Sequence, residues 1–375
     1  MTLAPINLLR QVWRDPTAIA AMSLTDWDLL IRQGRAADLL GQIAQACDAG
    51  CGFMNIPSQP RQHLQSAALL AQRQRRELVW EVEKIREALG AKGLPLVLLK
   101  GAAYAMSNSA AACGRLVSDV DILVRRDDLA AAESALLQRG WVSAAQNEYE
   151  QRYYRRWMHE IPPMKHFQRG TVIDVHHAIL PLSGRLHPST DRLLVAARPL
   201  ADDPTVKVLS PLDLVLHSAA HLFHEGELGK GLRGLLDIDR LLMELGGPAQ
   251  GWADLVARAH ELELQRPLFY ALRYAAILLG TPVPTAASEA MAAVPGARPS
   301  GVLLSLMDQL FLRALRPPHA STSDEFTPIA RFLLYVRGHW LRMPPWLLTQ
   351  HLTRKLLTPT KPPKPAQTPT ATGAA

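Results

Sequence analysis

Over residues 1–92 the apolar positions recur with helical spacing. Leu78, Val82, Ile85 and Leu89 stand at i, i+4, i+7 and i+11, one face of a helix that Gly90 and Gly93 stop. The stretch from Trp27 to Cys47 is amphipathic in the same way, and Pro57 and Pro60 mark a break between the two. From Pro95 the pattern shortens to that of strands. Pro95 to Leu99 is a first apolar run, a second strand ends at Arg125, Trp141 to Ala145 is a third, and two more are expected near 164–168 and 171–178. Helices are expected over about 102–110, and from a cap at Asp127 or Asp128 to Arg139, before Gly140. Between the later strands, Tyr153 to His159 and the pair Pro162-Pro163 read as a loop or short element rich in basic and aromatic groups. The order β-α-β-α-β-β-β does not alternate as a doubly wound sheet would, so the fold class is α+β with a mixed sheet.

Helical spacing returns after residue 205. Ser210, Pro211 and Asp213 form a helix start, with a hydroxyl cap, a first-turn proline and an acid at N3. Asp213, His217, His221 and His224 then share one face. Histidines at i and i+4 can bind zinc, line a cleft as hydrogen-bonding groups, or serve structure alone. The next helix, about 232–245, turns Leu235, Ile238, Leu242 and Leu245 inward. Its stripe of Arg233, Asp237, Arg240 and Glu244 is most simply explained by salt-bridge lacing. Helices over about 252–263 and 267–279 complete a bundle, and 281–300 read as a loose linker. From Pro328 to Leu357 the chain is apolar and basic, without an acid and with Trp340 and Trp346 interleaved. That pattern suits a helix pair covering the bundle or a helix lying in a membrane interface. The expected organisation is an N-terminal helical region (1–92), a sheet core (93–205), a C-terminal helical bundle (206–280), a basic and apolar helical extension (281–357) and a disordered tail (358–375).

Composition narrows the class. A chain of 375 residues is long enough for about two domains. No stretch of about 18 residues lacks charge, so no membrane span is expected, and the N-terminus lacks the pattern of a secretion signal. Three cysteines without a Cys-x-x-Cys unit suit a reducing cytoplasm, with Cys47 and Cys51 as core filling. A net charge of +7 and a pI near 9.5 favour anionic partners: nucleotides, nucleic acid or a membrane surface. Neither an aromatic-rich RNA-binding signature nor a zinc finger is present, so nucleic acid is not the expected partner. Gly-x-Gly-x-x-Gly and Walker sequences are also absent, which disfavours dinucleotide, kinase and GTPase phosphate loops.

The chemistry concentrates in three acids. Asp119 and Asp121 are two apart in a strand, so both carboxylates share a face while Val120, Ile122 and Val124 pack behind. Two like charges held that close favour a neutralising cation. Mg²⁺ suits the pair, since it favours one or two carboxylates plus substrate phosphates. Asp174 sits in the β-branched run from Thr171 to Leu180, where a lone acid needs a partner. Placed beside the first pair, it would complete a site for two metal ions and an in-line displacement at phosphorus. His176 shares the strand face of Asp174 and should look into the same cleft.

Leu98 to Tyr104, Arg115 to Val124 and Val172 to His176 together resemble the bacterial uncharacterised nucleotidyltransferase family, within the DNA polymerase beta-like nucleotidyltransferase superfamily. The likeness runs from about residue 1 to 280, with its core at 95–180. It implies a nucleotidyltransferase-type sheet in which Asp119 and Asp121 bind both metals and Asp174 is the third carboxylate, a base toward the attacking hydroxyl. Lys100-Gly101 takes the place of the superfamily's Gly-Ser turn. There Gly101 would let the backbone approach a phosphate, the following helix would offer N–H groups, and Lys100 would supply charge. Arg115, Ser118 and His176 are expected among the nucleotide contacts, and the family's Arg-x-x-x-Asp helix after a His-x-x-x-His helix implies Arg233 and Asp237 as an alternative brace for the site. The expectation is therefore a cytoplasmic enzyme using Mg²⁺ or Mn²⁺ and a nucleoside triphosphate, ATP first among them. Its acceptor is not legible, and peripheral membrane contact through 328–357 is open. The alternative is an inactive nucleotide-binding module that docks on a partner or a membrane surface.

Overall fold

The computed structural model describes residues 6–343 apart from Gln146, Glu225, Glu227, Gly247 and Pro248. The expected tail at 358–375, and the part of the basic extension from 344 to 357, lie outside the described residues. The chain opens with helices α1 (Asn7–Arg14), α2 (Leu24–Ala36), α3 (Leu40–Cys51) and α4 (Ser58–Gly90). The single amphipathic stretch expected from Trp27 to Cys47 is two helices, because Asp38 adopts a left-handed φ of 62° between them. Ser23 caps α2, its Oγ accepting from the Asp26 N–H at 3.2 Å. In α4 the buried positions Leu78, Val82, Ile85 and Leu89 keep the predicted spacing, and Gly93 turns the chain at a φ of 69°.

The core then alternates more than the sequence suggested. It runs β1 (Leu96–Leu98), α5 (Lys100–Met106), β2 (Asp119–Leu123), α6 (Leu129–Gln138), β3 (Trp141–Ser143), α7 (Glu148–Trp157), β4 (Met164–His166), β5 (Val172–His176), α8 (Thr190–Ala196), β6 (Arg198–Pro199) and β7 (Val206–Val208). The stretch read as a loop or short element at Tyr153–His159 belongs mostly to α7. Asn147 starts that helix by accepting from the Glu150 N–H. The short β6 and β7 were not anticipated, since two or three residues carry too little periodicity to register. Asp127 and Asp128 lie in a 3-10 turn before α6, which has no side-chain cap.

Among the described residues seven strands form one mixed sheet in the order β3-β4-β5-β2-β1-β7-β6. β1 pairs antiparallel with β2 and parallel with β7, and β2 pairs parallel with β5. Buried Leu96, Val97 and Leu98 make β1 a central strand. α4 runs against β1, α5 and α6.

The C-terminal helices are α9 (Pro211–His224), α10 (Gly231–Leu245), α11 (Ala249–Glu261), α12 (Gln265–Tyr274), α13 (Thr285–Ala293), α14 (Gly301–Ala314) and α15 (Thr327–Arg342). A π-helical turn, Ala275–Leu279, extends α12. The region read as a loose linker thus holds α13, whose Ala287 and Met291 are buried. The cap predicted at Ser210 is present, its Oγ accepting from the Asp213 N–H at 3.2 Å. Buried apolar residues from Ile6 to Leu334 form one continuous cluster. Among the described residues no helix is long and apolar enough to cross a membrane.

Candidate active site

The strand register gathers the acids. Asp119 pairs with Val172, Asp121 with Asp174, and Leu123 with His176 along parallel β2 and β5. Residues opposite one another on neighbouring strands share a face, and so do residues two apart. Asp119, Asp121, Asp174 and His176 therefore project to the same side of the sheet. Val120, Ile122, Ile173 and Val175 fill the other side and are buried.

Asp121 is the best-neutralised of the acids. Lys100 Nζ donates to its Oδ1 at 2.8 Å, and His176 Nε2 donates to the same oxygen at 2.9 Å. Burial opposes ionisation, but Lys100 and then His176 outweigh it and hold the carboxyl well below the usual range. Asp174 goes the other way. Burial first, then the charges of Glu160 and Asp121, push its pKa up to about 7. Its Oδ1 is buried with no hydrogen-bond partner among the described residues. Ser118 serves the third acid, its Oγ donating to Asp119 Oδ1 at 3.1 Å.

The turn before α5 supports this arrangement. Lys100 is held in the left-handed region, with φ 46°, at a cost of about 1–2 kcal/mol for a residue with a Cβ. From there its ammonium reaches Asp121. A Cβ on Gly101 would run into the Arg115 guanidinium and Val117. The glycine is thus required by the close approach of the chain's own arginine.

Arg115, expected among the nucleotide contacts, is held by partners within the protein. Its Nε donates to Asp237 Oδ2 at 3.0 Å with both side chains buried, and its guanidinium lies over the Tyr104 ring at 5.6 Å. This contact also corrects the reading of the α10 stripe. Instead of lacing to one another, its members bind other elements: Asp237 to Arg115, Arg233 to Asp38 at 2.6 Å, and Glu244 to the Ser109 hydroxyl and the Ala110 N–H. The helix ties the loop before β2 to the N-terminal layer.

Two residues next to the acids escaped the sequence reading. Beyond α7 the chain passes beside the end of β5, where the His177 N–H donates to His159 O at 2.8 Å and Glu160 bridges His176 in antiparallel fashion. Glu160 Oε2 thereby comes 3.4 Å from His176 Nε2, and the rings of His159 and His176 lie 5.1 Å apart. His159, Glu160 and His176 each offer a donor atom within 4.8 Å of the others, the spacing of a metal-ligand group. Only His176 was anticipated, because His159 and Glu160 come from a non-periodic segment whose position is set by pairing with β5.

The α9 histidines divide. Burial and then the charges of Lys100 and His221 hold the His217 pKa well below its ordinary value, so His217 stays neutral beside the site. Asp213 points elsewhere and takes a two-pronged ion pair from Arg258 at 2.8 and 3.0 Å. His224 lines a separate cavity. The donor group with metal spacing noted above does not include the α9 histidines.

Comparison with known proteins gives one result. No curated protein and no solved structure matches the chain. A family model described as uncharacterised nucleotidyltransferase matches residues 23–280, from α2 to the end of the turn that extends α12, and so encloses the whole sheet and the three acids. The chain belongs to the uncharacterised nucleotidyltransferase family.

Proposed function

We propose that the protein transfers a nucleoside monophosphate from a nucleoside triphosphate, ATP being the expected donor, to an acceptor hydroxyl with release of pyrophosphate. The family supports nucleotidyl transfer in general. The observation that carries the finer reading is the common face of Asp119, Asp121 and Asp174 on two in-register parallel strands.

The donor set fits Mg²⁺ or Mn²⁺. Both favour hard oxygen ligands, and Asp174 offers a buried carboxylate oxygen without another partner among the described residues. Asp119, Asp121 and Asp174 would hold the ion, which when bound supplies charge neutralisation at the phosphate oxygens. Asp174 orients the acceptor hydroxyl and takes its proton. Lys100, released from Asp121, holds a phosphate, and Gly101 lets Arg115 brace the turn that carries it. Ser118 orients Asp119. His176 fixes Asp121 and faces the acceptor.

The rival reading, a nucleotide-binding module without turnover, draws on one observation. Lys100 already occupies an oxygen of Asp121 that a metal would use. Incubation with each α-labelled triphosphate, Mg²⁺ or Mn²⁺ and a cell extract separates the two. Label transfer with pyrophosphate release, lost in Asp121→Ala, supports the enzyme; nucleotide binding without transfer to any acceptor supports the module.

The reading includes a cytoplasmic location and contact of the 328–357 segment with a membrane surface. Ile329, Phe332, Val336 and Trp340 share one exposed face of α15, which supports such contact. Unchanged partitioning onto anionic liposomes after Phe332→Glu and Trp340→Glu would remove it.

A further inference from the structure

A second site lies between the C-terminal helices. A cavity of about 670 Å³ is enclosed by α9, α12, α14 and α15 and by the loop at Arg185. That volume falls in the range of about 300–1,000 Å³ typical of small-molecule sites. Its floor is buried and apolar: Phe223, Tyr270, Met307 and Leu310. Its rim carries Leu303, Leu306, Leu333 and Trp340, which remain 40–49 % exposed.

Three arginines also line it, and none of them forms an ion pair among the described residues. Arg258, Arg273 and Arg313 of the same bundle do meet acids, Asp213, Asp308 and Asp324, while Arg316 and Arg331 donate to carbonyls. At the cavity, among the described residues, the partners are backbone carbonyls and rings. Arg337 donates to Phe223 O at 2.8 Å and lies over Tyr270 and Phe311 at 5.6 and 5.5 Å. Arg266 donates to Gly296 O at 2.7 Å, and Arg185 stacks on Trp340 at 4.9 Å. Glu263 is the one acid among the lining residues and forms no ion pair with them among the described residues. Arg266 and Arg337 are part-buried without an ion pair among the described residues, and such cations are stabilised by an anion that can accept their remaining N–H groups.

We propose that this cavity binds an anionic amphiphile, a single apolar chain with a phosphate or carboxylate head. The head would meet Arg337 and Arg266, and the chain would lie over Phe223, Tyr270 and Met307 toward the apolar rim. A neutral hydrocarbon would leave the arginines unanswered, and a purely polar anion would leave the apolar floor and rim uncovered. The inference stands apart from nucleotidyl transfer, because the cavity takes none of the three acids and its occupancy is read by binding alone.

Calorimetric titration of the full chain, without nucleotide or vesicles, tests it with dodecyl phosphate, dodecanoate and dodecanol below their aggregation concentrations. At least one of the two anions is expected to bind in a one-to-one ratio, the tighter one identifying the head group, with dodecanol at least about tenfold weaker. Shortening the chain by two carbons should weaken binding by roughly tenfold. Arg266→Gln and Arg337→Gln should each weaken the anion by about tenfold or more while leaving dodecanol unchanged. Leu306→Arg, on the exposed rim, is expected to fold normally and weaken chain binding, so the result does not depend on the buried arginine. The idea fails if neither anion binds, as when the chain beyond Met343 itself fills the space. It also fails if dodecanol matches the anions, or if Arg266→Gln and Leu306→Arg both bind like the parent.

Discussion

Asp121 and Asp174 stand directly opposite one another on parallel strands, yet their environments drive their ionisation in opposite senses. Lys100 and His176 both donate to Asp121, while Asp174 faces Glu160 and Asp121 with one oxygen unpartnered among the described residues. The protein's own cations are therefore spent on one acid of the pair. The unbalanced negative charge remains at the other, where an added cation gains most.

Asp174 should make the metal-free protein less stable as pH rises. Its folded pKa, about 7, exceeds the ordinary carboxyl value of 3.8. Between those values the folded state binds more protons than the unfolded one, so stability falls with rising pH. The loss begins near pH 4 and is complete above pH 7. Urea unfolding in chelator from pH 4 to 8 should show this decline. Asp174→Asn should flatten it, and under assay conditions should lower transfer by roughly 10²–10⁴-fold if Asp174 acts as the base.

Removing Lys100 should tighten metal binding while harming the use of nucleotide. Its ammonium competes for Asp121 Oδ1 from 2.8 Å. Lys100→Met is expected to raise Mn²⁺ affinity by about tenfold, equivalent to about one pKa unit of competing charge, and to raise the KM for the triphosphate. Electron paramagnetic resonance titration of Mn²⁺ and steady-state kinetics check the two halves. Weaker Mn²⁺ binding in the variant would mean that Lys100 supports the metal site instead of guarding it.

The Arg115–Asp237 pair should be costly to break from one side. Both side chains are buried, with 11 % and 6 % exposure. Arg115→Met or Asp237→Leu alone leaves a buried charge without its counterion, which costs about 3–5 kcal/mol. The double variant should recover much of that loss. Chemical denaturation of the three proteins reads it, and additive single effects would show that the ion pair contributes nothing specific.

Gly101→Ala should act through Arg115. The added methyl meets the guanidinium and Val117, so a destabilisation of about 1–3 kcal/mol is expected from overpacking. Combining it with Arg115→Met relieves the nearest clash, and the two changes together should cost less than their sum.

The acid pair, its strand and its apolar backing were legible in the sequence because a strand's two-residue period ties position to face. That rule fixed Asp119 with Asp121, and Asp174 with His176. The Lys-Gly turn, the cap at Ser210 and the spacing of α4 were legible for the same reason: each depends on neighbours within a few residues. The family's residues could be recognised in the same short runs. β6 and β7 escaped because two or three residues carry too little periodicity, and α7, read as a loop or short element, because none of its described residues is a buried apolar one that would mark a period.

Local pattern could not say which strands adjoin. That β2 lies beside β5, parallel and in register, depends on pairing between segments fifty residues apart, and only the assembled sheet sets Asp121 opposite Asp174. Tertiary packing likewise decided that Arg115 answers Asp237, that Glu160 reaches His176, and that three arginines gather at one cavity. Charge alone names no partner along a chain. Burial then decides which opposite charge lies near enough, and in a low enough dielectric, to matter.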